Sequence, residues 1–293
     1  MIRNDTAASR IFDVFNTIFL ILFAVVTLIP FMYIIAGSFA SQAEIIERGF
    51  FLIPREPRLE AYAYIFSSRL LPRAMLISIA VAVVGTATSM LITTTFAYSL
   101  SKKYLAGRNV MLTMIIFTML FSGGMVPTFL VVRALGLLDN FWAMILPGAV
   151  SVWNLIVLKN FFQSIPVEIE DSARIDGASD WTVFVKIVLP SSTAAIATFS
   201  LFYAVGYWNQ FQPALLFIPS NTEIWPLQLV LRNIVMMAAG TIQDAVFDPE
   251  FVQPPADSIR NAVIVFGTMP ILMVYPFIQK HFTKGVMVGA IKG

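Results

Sequence analysis

An all-α polytopic membrane protein is the fold class this sequence predicts, and three observations carry the prediction. Of 293 residues, 58% are hydrophobic and only 12% are charged, against roughly a quarter charged in an ordinary soluble domain. The mean hydropathy is +0.81. The apolar residues gather into about six stretches of a length suited to helices through a bilayer, with polar connections between them.

Residues 1–10 form a short polar arm carrying Arg3 and Arg10. The first expected span is 11–36. The small residues Ala36-Gly37-Ser38 would fit a signal cleavage site, but the apolar run far exceeds the roughly 7–15 residues of a signal core, so a retained span is expected. Residues 37–72 mix charge and proline and read as a loop with short surface helices on the opposite side. The second span, 74–100, is rich in Val, Ala, Thr and Ser, and Gly85, Ala87 and Ser89 are small enough to let a neighbouring helix come close. The third, 110–132, contains Gly123, Gly124 and Pro127, which predict a kink or break. The fourth, 141–158, carries Pro147, Gly148 and one polar residue, Asn154. The fifth is 191–207. Residues 208–258 are irregular, with an apolar patch at 211–218, and the sixth span, 262–278, precedes a basic tail over 280–293.

Between the fourth and fifth spans lies a polar island, 161–190. Pro166 suits a helix start, because its missing N–H is one the first turn leaves unpaired. Glu168, Glu170 and Asp171 load that turn with negative charge, favourable at the positive end of the helix dipole. Gly177 stands where a helix ends in the left-handed region, and Ser179 or Asp180 can cap a second helix towards Pro190.

Six spans put both termini on one side. All seven lysines (Lys102, Lys103, Lys159, Lys186, Lys280, Lys284 and Lys292) fall on that side, which the positive-inside rule makes cytoplasmic. The polar island then faces the cytoplasm.

Composition and motifs also remove function classes. No cysteine is present, which excludes disulfides, thiol catalysis and iron–sulfur ligation. A single histidine, His281, leaves no histidine-rich metal site. A net charge of +2 is too small to argue for a nucleic-acid partner. The span centres hold essentially no ionisable residue, against an ion-coupled carrier. No G-x-x-x-x-G-K-[ST] loop occurs to cradle phosphates, and no span holds a paired acid set or a Ser/His arrangement. What fits is a passage for a polar but uncharged solute, driven by another subunit and without a catalytic or metal-ligating residue of its own.

The island resembles the cytoplasmic signature of permease subunits in binding-protein-dependent ABC importers: Glu-Ala-Ala, three residues, Gly, nine residues, Ile, one residue, Leu-Pro. This chain has Asp171-Ser172-Ala173, then Gly177, Ile187 and Leu189-Pro190 at that spacing. Asp171 and Ser172 depart from the usual Glu and Ala but stay close in charge or size. The stretches Phe121-Ser122-Gly123-Gly124-Met125-Val126-Pro127-Thr128, Gly136-Leu137-Leu138-Asp139-Asn140, Leu146-Pro147-Gly148-Ala149 and the closing 284–293 look like the maltose-type carbohydrate branch. Within it the chain is most similar to permeases for complex or acidic saccharides, such as importers of alginate oligosaccharides.

The resemblance implies a type I ABC importer permease fold in a bacterial cytoplasmic (inner) membrane. It implies a second, related permease, two ATP-binding subunits that hold ATP and magnesium, and a periplasmic or extracellular solute-binding protein that delivers a saccharide. Glu168, Glu170, Asp171, Ser172, Ala173, Asp176, Gly177, Ala178, Leu189 and Pro190 would form the coupling element, with Glu168, Glu170 and Asp171 meeting basic groups of an ATPase subunit. Trp153, Asn154, Tyr207, Trp208, Asn209 and Gln212 offer ring faces and amides to a sugar path, though packing and helix-to-helix hydrogen bonding account for each singly. Trp142 and Trp225 suit the aromatic belt at the membrane surface. The rival class is a stand-alone channel or carrier whose polar island is merely a scaffold.

Overall fold

The computed structural model describes the backbone of residues 7–238 and 256–290, and side chains to residue 273. Among the described residues every regular element is helical. In chain order these are α1 (Ala7–Ser38), α2 (Gln42–Arg48), α3 (Glu60–Ser67), α4 (Leu70–Ser101), α5 (Arg108–Leu120), α6 (Met125–Ala134), α7 (Val152–Gln163) and α8 (Val167–Ile175). They continue with α9 (Asp180–Val183), α10 (Leu189–Ser191), α11 (Thr193–Asn209), α12 (Gln212–Phe217), α13 (Leu227–Ala238) and α14 (Asp257–Ala290).

The chain forms two compact units. The first draws on Met1–Arg69 and Asn233–Met269. Its α1 is apolar on every face and exposed along Ile11–Ile29, the pattern of a helix that meets lipid or another membrane chain. The expected short helices of 37–72 are α2 and α3. Ser41 caps α2 by accepting the Glu44 N–H at 3.2 Å. The enclosed Glu44 carboxylate takes Arg48 at 2.6 Å and the Arg55 N–H at 2.9 Å. The bond from the Arg55 backbone, with help from the Arg48 guanidinium, holds this carboxyl below its ordinary range. Gly37 in α1 lies so near the Asn261 amide that a Cβ there would stand 2.4 Å from Nδ2.

The second unit draws on Leu70–Arg232 and Pro270–Gly293. Its core is α4, against which α7 and α11 pack. Gly85 accepts the Tyr207 ring face, 2.9 Å from where a Cβ would be, and Ser89 Oγ meets Tyr207 Oη at 2.8 Å. These are two of the three small residues expected to admit a neighbour; Ala87 faces outward.

Among the described residues, three of the expected spans are bent pairs of helices. Among the described residues, α4 and the α1 segment Ser9–Ser38 are long and apolar enough to cross a membrane unbroken, and three bent pairs raise the number to as many as five. The third expected span, 110–132, is α5 and α6 meeting at 118°. The break falls at Ser122-Gly123-Gly124, where Gly124 has φ 91, a conformation a side chain resists. The fourth, 141–158, begins as two 3-10 turns, Phe141–Met144 and Leu146–Gly148, and α7 leaves them at 55°. Pro147 has no N–H to give a continuing helix, and Ser151 restarts the chain by accepting the Asn154 N–H at 3.4 Å. The fifth, 191–207, corresponds to α11, bent 83° from the preceding Asp180–Ser191. The sixth, 262–278, lies in α14, whose backbone stays helical through the expected boundary with the tail to Ala290. Residues 239–255 and 291–293 of the expected irregular stretch and tail lie outside the described residues.

A break inside a bilayer frees backbone groups that no water can satisfy. At the fourth span α11 and Gln210, the residue just past it, supply the partners. Tyr203 Oη accepts the Ser151 N–H at 3.0 Å, Tyr207 Oη donates to the Ile145 carbonyl at 3.3 Å, and Gln210 Nε2 donates to the Met144 carbonyl at 3.0 Å. From the other side α4 holds the same hydroxyls, with Thr93 on Tyr203 and Ser89 on Tyr207, both at 2.8 Å.

Candidate functional site

The polar island folds as α8, a turn, and a second helical run. Pro166 stands one place earlier than expected, as the residue capping α8, with Val167 the first helical residue. The helix ends as the sequence predicts. Gly177 has φ 85, its N–H reaches the Arg174 carbonyl at 3.0 Å, and the Ala178 N–H reaches the Ala173 carbonyl at 2.9 Å. This is the paired closure that needs a left-handed residue at its centre. Ser179 then caps α9, its Oγ accepting the Thr182 N–H at 3.3 Å.

Beyond α9 the run from Phe184 to Val188 is a π-helical stretch, and the Leu189 N–H reaches back to the Phe184 carbonyl. Pro190 follows in α10, and the 83° bend comes directly after it. The Ile187 and Leu189-Pro190 end of the motif thus marks where the polar island turns into α11.

Charge at α8 is arranged differently from the expectation. Glu168 and Asp171 are exposed and Asp176 caps the helix end, but Glu170 is the one buried residue of α8. Its carboxylate pairs with Lys102, just past α4, and Arg174 approaches it at 3.5 Å. Asp171 is tied to Arg174 at 3.1 Å. Of the three acidic residues expected to meet a partner's basic groups, Glu170 is therefore committed within the chain. Arg174 also binds Asp180 at 3.0 Å and donates to Tyr104 Oη at 3.2 Å. Desolvation opposes its charge, but Asp180, Tyr104 and Glu170 together outweigh this and hold the guanidinium pKa above the ordinary value. Tyr104 is pushed up by burial, then by Asp180 beside it.

What sequence reasoning missed is apolar. Ile175, at the tip of α8, is 86% exposed, and Val167, Ile169 and Trp181 are exposed with it. Attention to the motif's charged and small residues passed over them. The signal was available: Ile175 lies beside the terminating Gly177, where nothing in a short polar helix can cover it. Ser172 and Gly177 are exposed and Ala173 and Ala178 half-buried beside this apolar set, so the small residues leave the α8 backbone open to close approach.

The six residues picked for a sugar path differ in exposure. Asn154, Tyr207 and Trp208 are buried, Tyr207 being engaged by Ser89 and Ile145. Trp153, Asn209 and Gln212 are exposed. None of them lines the open cavity of about 400 Å³ that Pro127, Val131, Leu135 and Leu146 help to wall. Trp225, expected in an interfacial belt, is buried and donates to the Ile218 carbonyl at 3.0 Å.

Residues 103–288 match the family described as binding-protein-dependent transport system inner membrane component. Protein LplC of Bacillus subtilis (strain 168) is 51% identical, over 99% of this chain and 98% of its own length. The polygalacturonan/rhamnogalacturonan transport system permease protein YtcP of the same organism is 50% identical, over 97% of this chain and 99% of its own. The crystal structure of a bacterial ABC transporter involved in the import of the acidic polysaccharide alginate contains a chain that superposes with a TM-score of 0.86 at 32% identity. That match covers 94% of this chain and 98% of the other. With a break-rich helical bundle, a glycine-closed α8 and relatives that span its whole length, the chain belongs to the inner membrane components of binding-protein-dependent transport systems, as a carbohydrate-type ABC permease.

Proposed function

We propose that this chain and a second, related permease enclose the membrane path for an acidic oligosaccharide, and that α8 is the element through which ATP-binding subunits drive it. One observation carries the coupling role: α8 is a short helix closed by Gly177 that offers Ile175, 86% exposed, beside a backbone bare of large side chains. A knob of that kind is suited to a cleft on another protein. The acidic substrate is supported by the alginate importer and by the polygalacturonan name of a relative, both polymers that carry carboxylates.

In this reading ATP and magnesium stay on the partner subunits, a solute-binding protein delivers the sugar, and this chain carries out no chemistry. Closure of the ATPase pair would displace α8 and bias the bundle between two states, each open to one side of the membrane. The contact of Lys102 with Glu170 supports a shared side for the 102–108 loop and the polar island, and the lysine bias makes that side cytoplasmic. Both termini then lie there too.

Gly177→Asp tests the coupling role in the reconstituted importer. It should insert normally and abolish stimulation of ATP hydrolysis by the loaded binding protein; full stimulation would refute the role. Sugar flux through this chain alone in liposomes would instead establish the stand-alone channel.

A further inference from the structure

The nine-residue α8 buries a single side chain, and it is a carboxylate. Glu170 is 5% exposed at its side chain, while the apolar residues Val167, Ile169 and Ile175 all face outward. Helices of this length ordinarily keep their place by burying an apolar stripe. This one leaves its large apolar residues exposed and holds on by charge. The holding group is Lys102, 13% exposed, whose Nζ contacts Glu170 and lies 4.2 Å from the centroid of the Tyr98 ring. Tyr98 belongs to α4, and its hydroxyl reaches the Asp180 carbonyl at 3.4 Å. Around this centre Arg174 gathers Glu170, Asp171, Asp180 and Tyr104.

We infer that Lys102 is a positioning residue: its enclosed ion pair with Glu170, rather than apolar packing, fixes α8 to the end of α4, so that displacement of α8 is passed to the bundle. Exposed ion pairs hold little, but removing one partner of an enclosed pair strands a charge, which acts strongly. The arrangement suits a helix whose exposed apolar residues are left for another protein. The link from α4 onward is also polar, through Ser89 and Thr93 to the tyrosines that cap the broken fourth span. This inference rests on the coupling role proposed for α8, but the position of α8 itself can be measured without it.

The experiment uses the assembled importer with Lys102→Met, Glu170→Gln and the charge-keeping Lys102→Arg. Hydrogen–deuterium exchange of the 167–175 backbone reads the placement of α8. Because the chain has no cysteine, Asn209→Cys gives a single thiol whose maleimide labelling rate, with and without vanadate-trapped ATP, reads the response of α11. Lys102→Met and Glu170→Gln should speed exchange over 167–175 and shrink the ATP-dependent labelling change by about tenfold or more, the scale expected when an enclosed charge loses its partner. The ATP-binding subunits should still co-purify, and Lys102→Arg should restore both readings. Wild-type exchange in Lys102→Met overturns the inference, as does faster exchange that Lys102→Arg fails to correct. If wild type shows no ATP-dependent labelling change and Gly177→Asp still couples, the coupling role falls, while the exchange comparison still decides what holds α8.

Discussion

Tyr203 accepts the backbone N–H of Ser151 at 3.0 Å, and so a residue of α11 completes a helix break in another segment of the chain. The pairing gives a partner to the amide that follows the interruption at Pro147 and Gly148. The freed amide is satisfied by a hydroxyl that Thr93 of α4 holds from behind at 2.8 Å. Three helical segments are thereby locked at one point by polar contacts. In lipid, where apolar packing between helices has little hydrophobic drive, such contacts are what fix their register.

Tyr203→Phe should therefore destabilise the chain by about 1–3 kcal/mol, the cost of a buried backbone donor left without a partner. Tyr207→Phe leaves the Ile145 carbonyl and Ser89 without their partner, and should cost less, since a carbonyl is the more tolerant orphan. Thermal unfolding in detergent, compared at matched protein and lipid, reads the order of the two. A Tyr203→Phe chain as stable as wild type would show the amide finds another acceptor.

Two glycines make contrasting tests of close approach. At Gly85 an added methyl meets the Tyr207 ring at 2.9 Å, and that ring is held by its hydroxyl at Ser89 and Ile145. Gly85→Ala should cost about 1–3 kcal/mol, as overpacking does. At Gly37 the obstacle is the far end of Asn261, whose Nδ2 is buried without a hydrogen-bond partner. That side chain can swing away, so Gly37→Ala should be the milder change. The comparison is made by unfolding of the two variants side by side.

Asp139 ties two loops together and should leave a mark on acid stability. With φ 54 it projects its Oδ1 to the Ser220 and Asn221 N–H groups, both at 2.9 Å, while its own N–H reaches the Phe217 carbonyl at 2.8 Å. The Asn221 bond, then the Ser220 bond, lowers the folded-state pKa below its ordinary value. The carboxylate therefore stabilises the fold above the unfolded value of about 3.9, and that contribution is lost as pH falls through the lower folded pKa. Asp139→Ala should be less stable than wild type at neutral pH and should approach it as the medium is acidified below that range. Asn at this position keeps the left-handed backbone and one acceptor but loses the charge, so it should fall between them.

Gly177 separates backbone strain from surface chemistry. Its φ of 85 makes Gly177→Ala strained by about 1 kcal/mol whatever surrounds it. Gly177→Asn tolerates that backbone better and adds a side chain at the same place. If the coupling role holds, Gly177→Asn should fold nearly as wild type and still impair stimulated ATP hydrolysis, because its side chain stands beside Ile175. Impairment that tracks stability alone would assign the glycine to helix termination only.

The sequence by itself determined the membrane class, the polar island and its helix-ending chemistry, because hydropathy, caps and a left-handed glycine are local properties of the chain. It marked the Gly123-Gly124 break for the same reason, since glycine acts on its own backbone, and it placed Pro147 and Gly148 inside the fourth span without predicting the break found there. Only the tertiary structure decided what those breaks become, since a bend of 118° or 55° depends on which neighbours satisfy the freed groups. It also decided that Glu170 is an internal anchor for α8 and Ile175 the exposed tip, although both are residues of one short helix. Which face of that helix turns inward was set by Lys102, 68 residues earlier. A long-range charge pair leaves no trace in local pattern, and there the folded chain was needed.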